Sequence, residues 1–596
     1  MSRAAAIGSV VLAVPLLVRP ADSQPAHSRY EVSIEKNVPS TMRDGTILRA
    51  DVYRPRAPGR FPAILQRTPY SKNGPQAAKD FSALAGRGFV VVIQDTRGRY
   101  MSDGVASPHD EAEDGFDTIA AVAQMPYVNG KVGMYGGSYL ATTQLLAASL
   151  RPPALVALFP ASSYASRFDM VFQGGAFYLS DGLGWNLGQA KDVRRRVLTP
   201  QADRDGPLGL NEEESKAFRE QWLRQYPLKS VNALEIRKYA PGYFLMLDHP
   251  TFDAYWSTFD IEARHHQFEV PAYHLSGWYD TLLTGTLRNF SGLRAHAATE
   301  QARRYQRLVI GPWTHARPTL QSTKIGDVDF GPEAGLDSQE LIARWFSYWL
   351  QDGDRAVIEG PPVRIFVMGE NRWRDEQEWP LARAHSTPYY LSGGGHANTA
   401  GGDGVLASQS SSKDAADHFE FDPSNPVPTG AQSGYSRTPS DQREAEKRQD
   451  VLVYTTAPLP ADLEVTGPIS VTLWVASSAR DTDFTAKLVD VFPDGTARAL
   501  NDGILRARYR ESAARTALLA PGQPVEITID VGATSNLFKA GHRIRLDISS
   551  SNFPRFDRNP NTGGVFGEDS ELLTARQTVL HDAKHPSRLV LPVVPR

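Results

Sequence analysis

The hydrophobic and polar positions divide the chain into stretches of different periodicity. Between about residues 30 and 160, short strand-like runs alternate with helical stretches, and the run 89–93 (FVVVI) is apolar at consecutive positions. Such a run is typical of a strand covered on both faces in a mainly parallel sheet. Alternation of this kind predicts an α/β domain. The predicted strands are 48–53, 61–65, 89–94, 132–135 and 155–159, and the predicted helices are 111–125 and 139–150.

A helical stretch interrupts this alternation. Residues 165–245 carry helical patterns and no strong strand run, whereas strand-like runs resume at 271–276 and 307–310. A helix predicted at 284–297 separates those two strands, and another ends near Leu350. The simplest interpretation is a helical cap inserted between two parts of one α/β core, the first over residues 24–164 and the second over 246–355.

From residue 356 to the C-terminus the pattern is almost purely that of strands. Turn residues separate short alternating runs, which is typical of an all-β sandwich or jelly roll. We therefore predict a C-terminal jelly-roll domain over residues 356–596. Its predicted strands include 363–367, 469–475, 485–491, 525–531, 544–548 and 589–593.

Composition and charge narrow the possible chemistry. The 596 residues carry a net charge of −3, so no basic excess points to a nucleic-acid partner. There is no cysteine, which excludes thiolate nucleophiles, disulfides and iron–sulfur clusters. The sequence also has no phosphate-binding loop, dinucleotide fingerprint or metal-ligand motif. We expect no metal and no cofactor.

The N-terminus resembles a targeting segment. Residues 4–18 (AAAIGSVVLAVPLLV) form an apolar run behind Arg3, which is too short to span a membrane but suits a secretory signal. Small residues at Ala21 and Ser23 allow cleavage, so residues 1–23 are the predicted signal peptide. An apolar N-terminus arising from a misassigned start is the alternative. We expect a periplasmic or secreted protein without a membrane span.

The strongest local signal for chemistry surrounds Ser138. A strand-like run enters Gly136 and Gly137, presents the serine and continues into helix-forming residues. A sharp strand-to-helix turn needs glycine beside an exposed nucleophile, and the following helix N-terminus favours a developing oxyanion. Leu140 stands where the pattern Gly-x-Ser-x-Gly has its last glycine. Taken alone, the motif also fits a plain tight turn.

A serine nucleophile needs a base, and the base needs an orienting acid. In α/β-hydrolases the chain order is Ser, then Asp or Glu, then His. Asp280 follows the strand predicted at 271–276, and His315 follows the strand predicted at 307–310. Asp280 could instead only cap the next helix. The competing histidines fit the required order less well, and they are His109, His265, His266, His274 and His296.

Three segments around these residues resemble the CocE/NonD hydrolases, a group within the wider family of X-Pro dipeptidyl-peptidases and bacterial acyl hydrolases. They are 136–144 (GGSYLATTQ), 277–280 (GWYD) and 311–315 (GPWTH). Further matching segments are 94–99 (QDTRGR), 367–373 (VMGENRW) and 448–454 (RQDVLVY). The resemblance extends from about residue 32 to the C-terminus. It implies an α/β-hydrolase core, an inserted helical cap and a C-terminal jelly roll.

The resemblance also implies roles for five residues. Ser138 would be the nucleophile, His315 the general base and then acid, and Asp280 its orienting partner. The oxyanion hole would consist of the backbone N–H of Tyr139 and the hydroxyl of Tyr70. The implied partner is a small-molecule acyl ester or amide, and the oligomeric state is left open.

Two features bear on the substrate. The resemblance implies that relatives which hydrolyse α-amino acid esters bind the substrate ammonium with acidic residues just after the triad Asp. At these positions this chain has Thr281-Leu282-Leu283. Acids in the insertion could serve instead, namely Asp169, Asp181 and the run 212–214. Aromatic residues also recur in the insertion, and we predict core packing for them rather than a substrate pocket. They are Phe168, Phe172, Phe177, Tyr178 and Trp185.

Three functions follow as hypotheses. The leading one is a serine hydrolase of carboxylic esters, with amides left open as substrates. The alternative is an aminopeptidase or acylase that releases X-Pro dipeptides or cleaves other amide bonds. The third is a non-catalytic binding protein that uses the jelly roll, against which the complete set of candidate catalytic residues argues.

Overall fold

The structure is a computed structural model that describes residues 29–74, 77–200, 210–233, 236–315, 323–410, 416–430 and 436–596. The predicted signal peptide, residues 1–23, lies outside the described residues. Within the described ranges, none of the helices combines the length and apolar character needed to cross a bilayer.

The N-terminal part alternates strands and helices as the hydrophobic pattern predicted. Its strands are β1 (Val32–Thr41), β2 (Ile47–Pro55), β3 (Phe61–Thr68), β4 (Val90–Asp95), β5 (Val128–Gly137), β6 (Leu155–Ala161), β7 (Phe172–Gln173), β8 (Ala176–Phe177), β9 (Tyr273–Gly277), β10 (Arg307–Gly311), β11 (Lys324–Ile325), β12 (Val328–Asp329), β13 (Val363–Val367) and β14 (Arg372–Glu376). Its α-helices are α1 (Ala77–Gly86), α2 (Glu111–Ala123), α3 (Tyr139–Ala148), α4 (Arg167–Val171), α5 (Leu179–Leu198), α6 (Glu212–Glu220), α7 (Ile236–Tyr239), α8 (Gly242–Asp248), α9 (Ala254–Ser257), α10 (Leu283–His296), α11 (Glu300–Arg304) and α12 (Ser338–Gln351).

Ten strands form one mixed sheet in the order β1-β2-β4-β3-β5-β6-β9-β10-β13-β14. All neighbouring pairs from β4 to β13 are parallel, whereas β1, β2 and β14 pair in the antiparallel sense at the two edges. Every residue of β4 is buried, as its uninterrupted apolar run predicted. The prediction of an α/β-hydrolase core is confirmed.

The strand Val363–Val367, which we predicted as one of the C-terminal strands, pairs within this sheet. It pairs in parallel with β10, with Leu308 opposite Val363, and then forms an antiparallel pair with β14. Strand periodicity shows which side chains are buried but not which sheet a strand joins, so this assignment could not be made from the sequence. The predicted domain boundary at residue 356 therefore falls before the last two strands of the core sheet.

Helices continue past the predicted end of the insertion. The expected end at residue 245 lies inside α8, and α9 follows after Asp253, whose carboxylate accepts a hydrogen bond from the N–H of Tyr255 at 3.0 Å. The next core strand, β9, begins only at Tyr273. Short helices with aromatic residues give weak periodicity, so the sequence defines this boundary poorly.

The C-terminal domain is separate and rich in antiparallel strands. These are β15 (His385–Ser392), β16 (Val405–Ala407), β17 (Asp417–Phe421), β18 (Leu452–Thr455), β19 (Leu463–Ser477), β20 (Asp483–Val491), β21 (Ala497–Arg506), β22 (Val525–Phe538), β23 (Arg543–Ser549), β24 (Ala575–Leu580) and β25 (Arg588–Val594). Strand β19 pairs with β22, β24 and β25. The largest buried hydrophobic cluster of the described residues lies within this domain.

Candidate active site

The turn between β5 and α3 places Ser138 in a strained conformation. Its φ and ψ are 61° and −127°, and its N–H donates to the carbonyl of Ala161 at 2.9 Å. Gly136 has φ 146°, and a β-carbon built on it would lie 2.6 Å from the β-carbon of Leu140. Leu140 therefore occupies the space that Gly136 leaves open. Strain of this kind is characteristic of functional turns and exposes the serine hydroxyl.

Helix α3 begins at Tyr139, next to the serine. As the first residue of a helix, its N–H has no acceptor within that helix and is available to a ligand. The Tyr139 hydroxyl donates to the Glu111 carboxylate at 2.8 Å, and Glu111 also accepts from Nη1 of Arg67 at 2.8 Å. Burial, reinforced by the charge of Glu111, raises the pKa of Tyr139 well above 10. The neutral phenol thus anchors the side chain of the first residue of α3.

Strands β9 and β10 deliver the acid and the histidine to the same edge of the sheet. They pair in parallel with Gly277 opposite Gly311, so the residues that follow them emerge side by side. His315 Nδ1 lies 3.0 Å from Asp280 Oδ1. The two residues predicted from chain order are therefore brought together.

Asp280 is completely buried and well satisfied. Its carboxylate accepts hydrogen bonds from the N–H of Leu282 at 2.8 Å and from the Ser276 hydroxyl at 3.2 Å, in addition to its contact with His315. Asp280 is not the N-cap of α10, which is Leu282, but its carboxylate stabilises the turn that leads into this helix and also pairs with the histidine.

Asp280 and His315 each stabilise the charged form of the other. Burial alone would raise the pKa of Asp280, but the charge and hydrogen bond of His315, with further hydrogen bonds from Ser162 and Leu282, lower it. Burial alone would lower the pKa of His315, but the charge and hydrogen bond of Asp280, with the charge of Asp181, raise it. Asp280 is therefore ionised at neutral pH and favours the imidazolium form of His315.

Tyr70 follows β3 and lies beside the serine. Its hydroxyl accepts a hydrogen bond from Nε1 of Trp185 at 3.1 Å. Although 38% of Tyr70 is exposed, desolvation of its hydroxyl raises its pKa, and hydrogen bonds with Trp185 and Ser138 oppose that shift. The phenol therefore keeps its proton at neutral pH and can donate it to an oxygen atom near Ser138.

Ser138 and Tyr70 lie between two cavities. The core-side cavity has a volume of about 290 Å³, also contains His315, and has apolar walls that include Phe159, Leu275 and Ile342. The cap-side cavity contains the serine and Tyr70 as well, and its other walls come mainly from the helical insertion. Those walls include Tyr164, Arg167, Met170, Tyr178, Asp181 and Trp185.

Of the five cap aromatics predicted to pack in the core, two line the cap-side cavity, and one of these, Tyr178, is also buried in a hydrophobic cluster. Trp185 lines the cap-side cavity, and its ring stacks on that of Tyr139 with centroids 6.0 Å apart. Tyr178 lines the same cavity. The prediction of core packing is confirmed for the remaining three, Phe168, Phe172 and Phe177, which are buried in the hydrophobic cluster of the cap.

The acids of the insertion have different environments. Asp181 is only 4% exposed and lines the cap-side cavity. Burial raises its pKa to about 7, although the charges of Arg555 and His315 oppose the shift. Asp169 forms an ion pair with Arg288 at 2.6 Å. Of the acidic run 212–214, the last residue takes part in the capping box that begins α6.

Two competing histidines occupy structural positions. His274 is completely buried and its Nε2 lies 2.9 Å from the side-chain oxygen of Gln306, while burial lowers its pKa to about 4. His265 is also buried and lies 3.0 Å from the side-chain oxygen of Asn289. Both histidines are therefore packed in the interior and bonded to a side-chain amide, away from the pair formed by Asp280 and His315.

Two family models together match most of the chain. Residues 44–317 match the family model described as X-Pro dipeptidyl-peptidase (S15 family), and residues 356–590 match that of the X-Pro dipeptidyl-peptidase C-terminal non-catalytic domain. Cocaine esterase from Rhodococcus sp. (strain MB1 Bresler) is 38% identical over 585 residues, which cover 95% of this chain and 99% of that protein.

Solved structures show the same overall architecture. An aminopeptidase from a marine sediment Thaumarchaeota archaeon superposes with a TM-score of 0.81 at 24% identity, covering 98% of this chain and 99% of the other. An α-amino acid ester hydrolase superposes with a TM-score of 0.79 at 25% identity, covering 98% of this chain and all of the other. The fold is thus shared over nearly the whole length.

Proposed function

This chain belongs to the CocE/NonD group of the X-Pro dipeptidyl-peptidase (S15) family, and we propose that it is a serine hydrolase that cleaves carboxylic esters through Ser138, His315 and Asp280. The observation that carries the proposal is the convergence of these groups. The strained serine lines the same cavity as a histidine that is paired with a buried carboxylate.

Acylation would begin with attack by the Ser138 hydroxyl oxygen on the ester carbonyl carbon. His315 takes the hydroxyl proton, the carbonyl carbon becomes tetrahedral, and its oxygen becomes an oxyanion. The Tyr139 N–H and the Tyr70 hydroxyl donate to that oxyanion. When the tetrahedral intermediate collapses, the C–O bond to the alcohol breaks and His315 returns its proton to the leaving alkoxide. The products of this half-reaction are an acyl-serine and a free alcohol.

Deacylation follows the same route with water as the nucleophile. His315 removes a proton from water, which attacks the acyl carbon, and the same two donors stabilise the second oxyanion. The ester bond to Ser138 then breaks, the serine oxygen regains the proton from His315, and the carboxylic acid leaves. Asp280 keeps the imidazole oriented throughout and stabilises its charged form.

The two cavities suit the two sides of a scissile ester bond. Both reach Ser138, one between the core strands and one beneath the cap, and apolar side chains dominate the first. We propose that one cavity holds the acyl group and the other the alcohol group of a small-molecule ester.

Ser138→Ala tests the mechanism. We expect turnover of 4-nitrophenyl acetate and butyrate to fall by at least about 10³-fold, because no other group replaces the nucleophile. Labelling by a fluorophosphonate should be lost as well. Ser149→Ala is the matched control, since Ser149 lies at the C-terminal end of α3 and its hydroxyl donates to the carbonyl of Leu146. Undiminished turnover or labelling of Ser138→Ala would refute the proposal.

A second candidate, cleavage of amide or X-Pro peptide bonds, is favoured by Asp181. An aminopeptidase must bind the α-ammonium group of its substrate, and a carboxylate on the cavity wall could do so. The test is a matched pair of aryl esters, one with an α-amino group and one without it, together with an X-Pro anilide. If Asp181 binds the ammonium, Asp181→Asn lowers kcat/KM for the amino substrates only, provided that both enzymes are compared at a pH above the titration midpoint of His315. If it lowers kcat/KM for both esters equally, amine recognition by Asp181 is excluded.

Two further proposals concern the location of the protein and the topology of its C-terminal domain. We propose export with removal of residues 1–23, and a jelly-roll arrangement of the antiparallel strands. Expression of the full chain in a Gram-negative host, followed by N-terminal sequencing of the periplasmic fraction, tests export. A product that retains residue 1 would contradict it.

A further inference from the structure

The C-terminal domain contacts the turn that carries Asp280. Asp280 and Ser436 form an isolated antiparallel bridge. The backbone N–H of Arg437 donates to the carbonyl of Tyr279 at 2.9 Å, and Nη2 of Arg437 donates to the carbonyl of Asp280 at 3.2 Å. Two successive carbonyls of the turn are therefore bound by one residue from outside the α/β core.

Arg437 is itself held from inside the C-terminal domain. It is only 6% exposed, and its Nη1 lies 3.5 Å from Oδ1 of Asp502 on strand β21. Asp502 also accepts a hydrogen bond from Asn552 at 2.7 Å and forms a close ion pair with Arg555. A buried guanidinium has a large desolvation cost, which lowers the pKa of Arg437, and the charge of Asp502 offsets part of that cost. The donor that reaches Asp280 is thus fixed in place.

We propose that Arg437 is a positioning residue for the triad acid, supplied by the part of the chain whose family description is non-catalytic. The inference rests on the proposed function, since it assigns Asp280 to the triad. By holding the carbonyls of Tyr279 and Asp280, Arg437 sets where the Asp280 carboxylate stands relative to Nδ1 of His315. A displacement of about 1 Å in such an arrangement can cost roughly 10²-fold in rate.

The substitution Arg437→Met removes the side-chain donor with little other disturbance. Asp502 keeps its hydrogen bond from Asn552 and its ion pair with Arg555, so the change leaves no carboxylate without a partner. Methionine is unbranched and flexible and can fill the space of the arginine stem. We therefore expect a folded enzyme in which the turn is less firmly held.

A double-mutant cycle with Asp280→Asn provides the test. In the otherwise wild-type enzyme, Arg437→Met should lower kcat for 4-nitrophenyl butyrate by about 10- to 100-fold and leave KM within about 3-fold. In the Asp280→Asn enzyme the same substitution should change kcat by less than about 3-fold, because Arg437 acts through the carboxylate that is already lost. A purely structural role would lower kcat equally in both backgrounds.

Arg558→Met is the matched control. Arg558 is also 6% exposed and lies in the C-terminal domain, but its Nη2 donates to the carbonyl of Arg224 in the cap at 2.8 Å. We expect it to lower the melting temperature and to leave kcat within about 3-fold, since its contacts do not reach the triad. If it lowers kcat as much as Arg437→Met does, the inference is overturned.

Arg437→Lys keeps the test decisive if the methionine variant fails to fold. Lysine retains the positive charge beside Asp502 but lacks the planar fork of donors. We expect a loss in kcat of at least about 3-fold in the wild-type background and none in the Asp280→Asn background. Equal losses of kcat in both backgrounds would overturn this inference but leave the proposed function standing. Full turnover by Asp280→Asn itself would overturn the proposed function, and this inference with it.

Discussion

Tyr70 and Tyr139 contribute different atoms to the proposed oxyanion hole. Tyr70 would donate through its hydroxyl, whereas Tyr139 would donate through its backbone N–H and uses its hydroxyl to bind Glu111. The same chemical change therefore has different consequences at the two positions. Removing the hydroxyl of Tyr70 therefore tests a role in the reaction, whereas removing the hydroxyl of Tyr139 tests a role in local structure.

Tyr70→Phe should lower kcat by about 10²-fold with little change in KM, because it removes one oxyanion donor. Tyr139→Phe is the control, and it should retain kcat within about 10-fold because the backbone donor remains, while the buried Glu111 loses a partner and stability falls by about 1–3 kcal/mol. Steady-state kinetics with aryl esters and urea unfolding measure the two effects. Equal losses of kcat in the two variants would contradict the assignment of Tyr70.

The charge state of His315 determines the pH dependence. Only the neutral imidazole can take the serine proton, so activity is lost as pH falls through the pKa of His315. That pKa is raised above 6.5, so we expect kcat/KM to increase with pH through a midpoint above 6.5. Asp280→Asn removes the charge that raises this pKa, and the midpoint should move to lower pH. Profiles for both enzymes check this shift.

The residual activity of Asp280→Asn is low, so its profile needs a sensitive aryl ester. Asp181 also raises the pKa of His315, and Asp181→Asn should therefore move the midpoint in the same direction by a smaller amount. His274→Gln is the control that leaves the midpoint unchanged, because burial holds the pKa of His274 near 4. A midpoint that stays fixed in Asp280→Asn would exclude the pairing as its cause.

At the scale of elements, the turn from β5 into α3 depends on Gly136. Its φ of 146° is unfavourable for any residue with a β-carbon, and the added methyl group would collide with Leu140. We expect Gly136→Ala to lower stability by about 1–3 kcal/mol and to reduce kcat, because relief of the collision displaces Ser138. Urea unfolding and kinetics measure the two effects.

Gly130→Ala separates backbone strain from collision. Gly130 also lies on β5 with a positive φ of 92°, but no atom lies within 4 Å of the position of its added β-carbon. We expect a stability loss of about 1 kcal/mol from strain, with kcat unchanged. A Gly136→Ala enzyme with wild-type kcat would show that the turn does not set the serine position.

The elements that carry Ser138, Asp280 and His315 could be predicted because each lies in a local pattern. A buried strand followed by glycine and serine, and two later strands followed by an acid and a histidine, are readable along the chain. Trp185 could not be recognised, since its helix presents it to Tyr70, which is 115 residues away. Arg437 lies in a polar stretch with no local signal, and only tertiary structure brings it to Asp280.

The same limit applies to the domain organisation. Val363 and its neighbours have the pattern of a buried strand, but partner choice depends on where α12 returns the chain, so the strand joined the core sheet. The predicted end of the cap, residue 245, lies inside α8, because the short helices in this region give little periodicity. Local patterns thus specified the elements well and their partners poorly. The remaining predicted boundaries stay predictions.

At the scale of the whole molecule, the core sheet and the C-terminal domain are bonded to each other. Met368 follows strand β13, and its N–H donates to the carbonyl of Ser535 on β22 at 3.0 Å. On the neighbouring strand β14, Arg374 binds Glu464 of strand β19 through two hydrogen bonds of 2.8 and 2.6 Å. We infer that these contacts, together with that of Arg437, hold the C-terminal domain against the core sheet, and that Arg437 is not the only residue that joins the two parts.

Glu464→Gln tests how strongly this interface stabilises the molecule. Glu464 is 2% exposed, and burial alone would raise its pKa, but hydrogen bonds from Arg374 and Thr466 lower it below its ordinary value of 4.5. We expect the substitution to reduce the free energy of unfolding at pH 7 by about 2–3 kcal/mol, because hydrogen bonds to a charged group are lost. Urea unfolding of both proteins measures the difference.

The pH dependence of that difference has a definite sign. A carboxylate whose pKa is lowered on folding contributes stability that is complete above its unfolded value and is lost as pH falls toward its folded value. The difference between wild type and Glu464→Gln should therefore stay constant from pH 7 to about 5.5 and narrow below about 4.5. Glu420→Gln, at an exposed position on β17, is the control and should change stability by no more than about 0.5 kcal/mol. If the Glu464→Gln difference does not change with pH, the ion pair with Arg374 is not what stabilises the junction between the two domains.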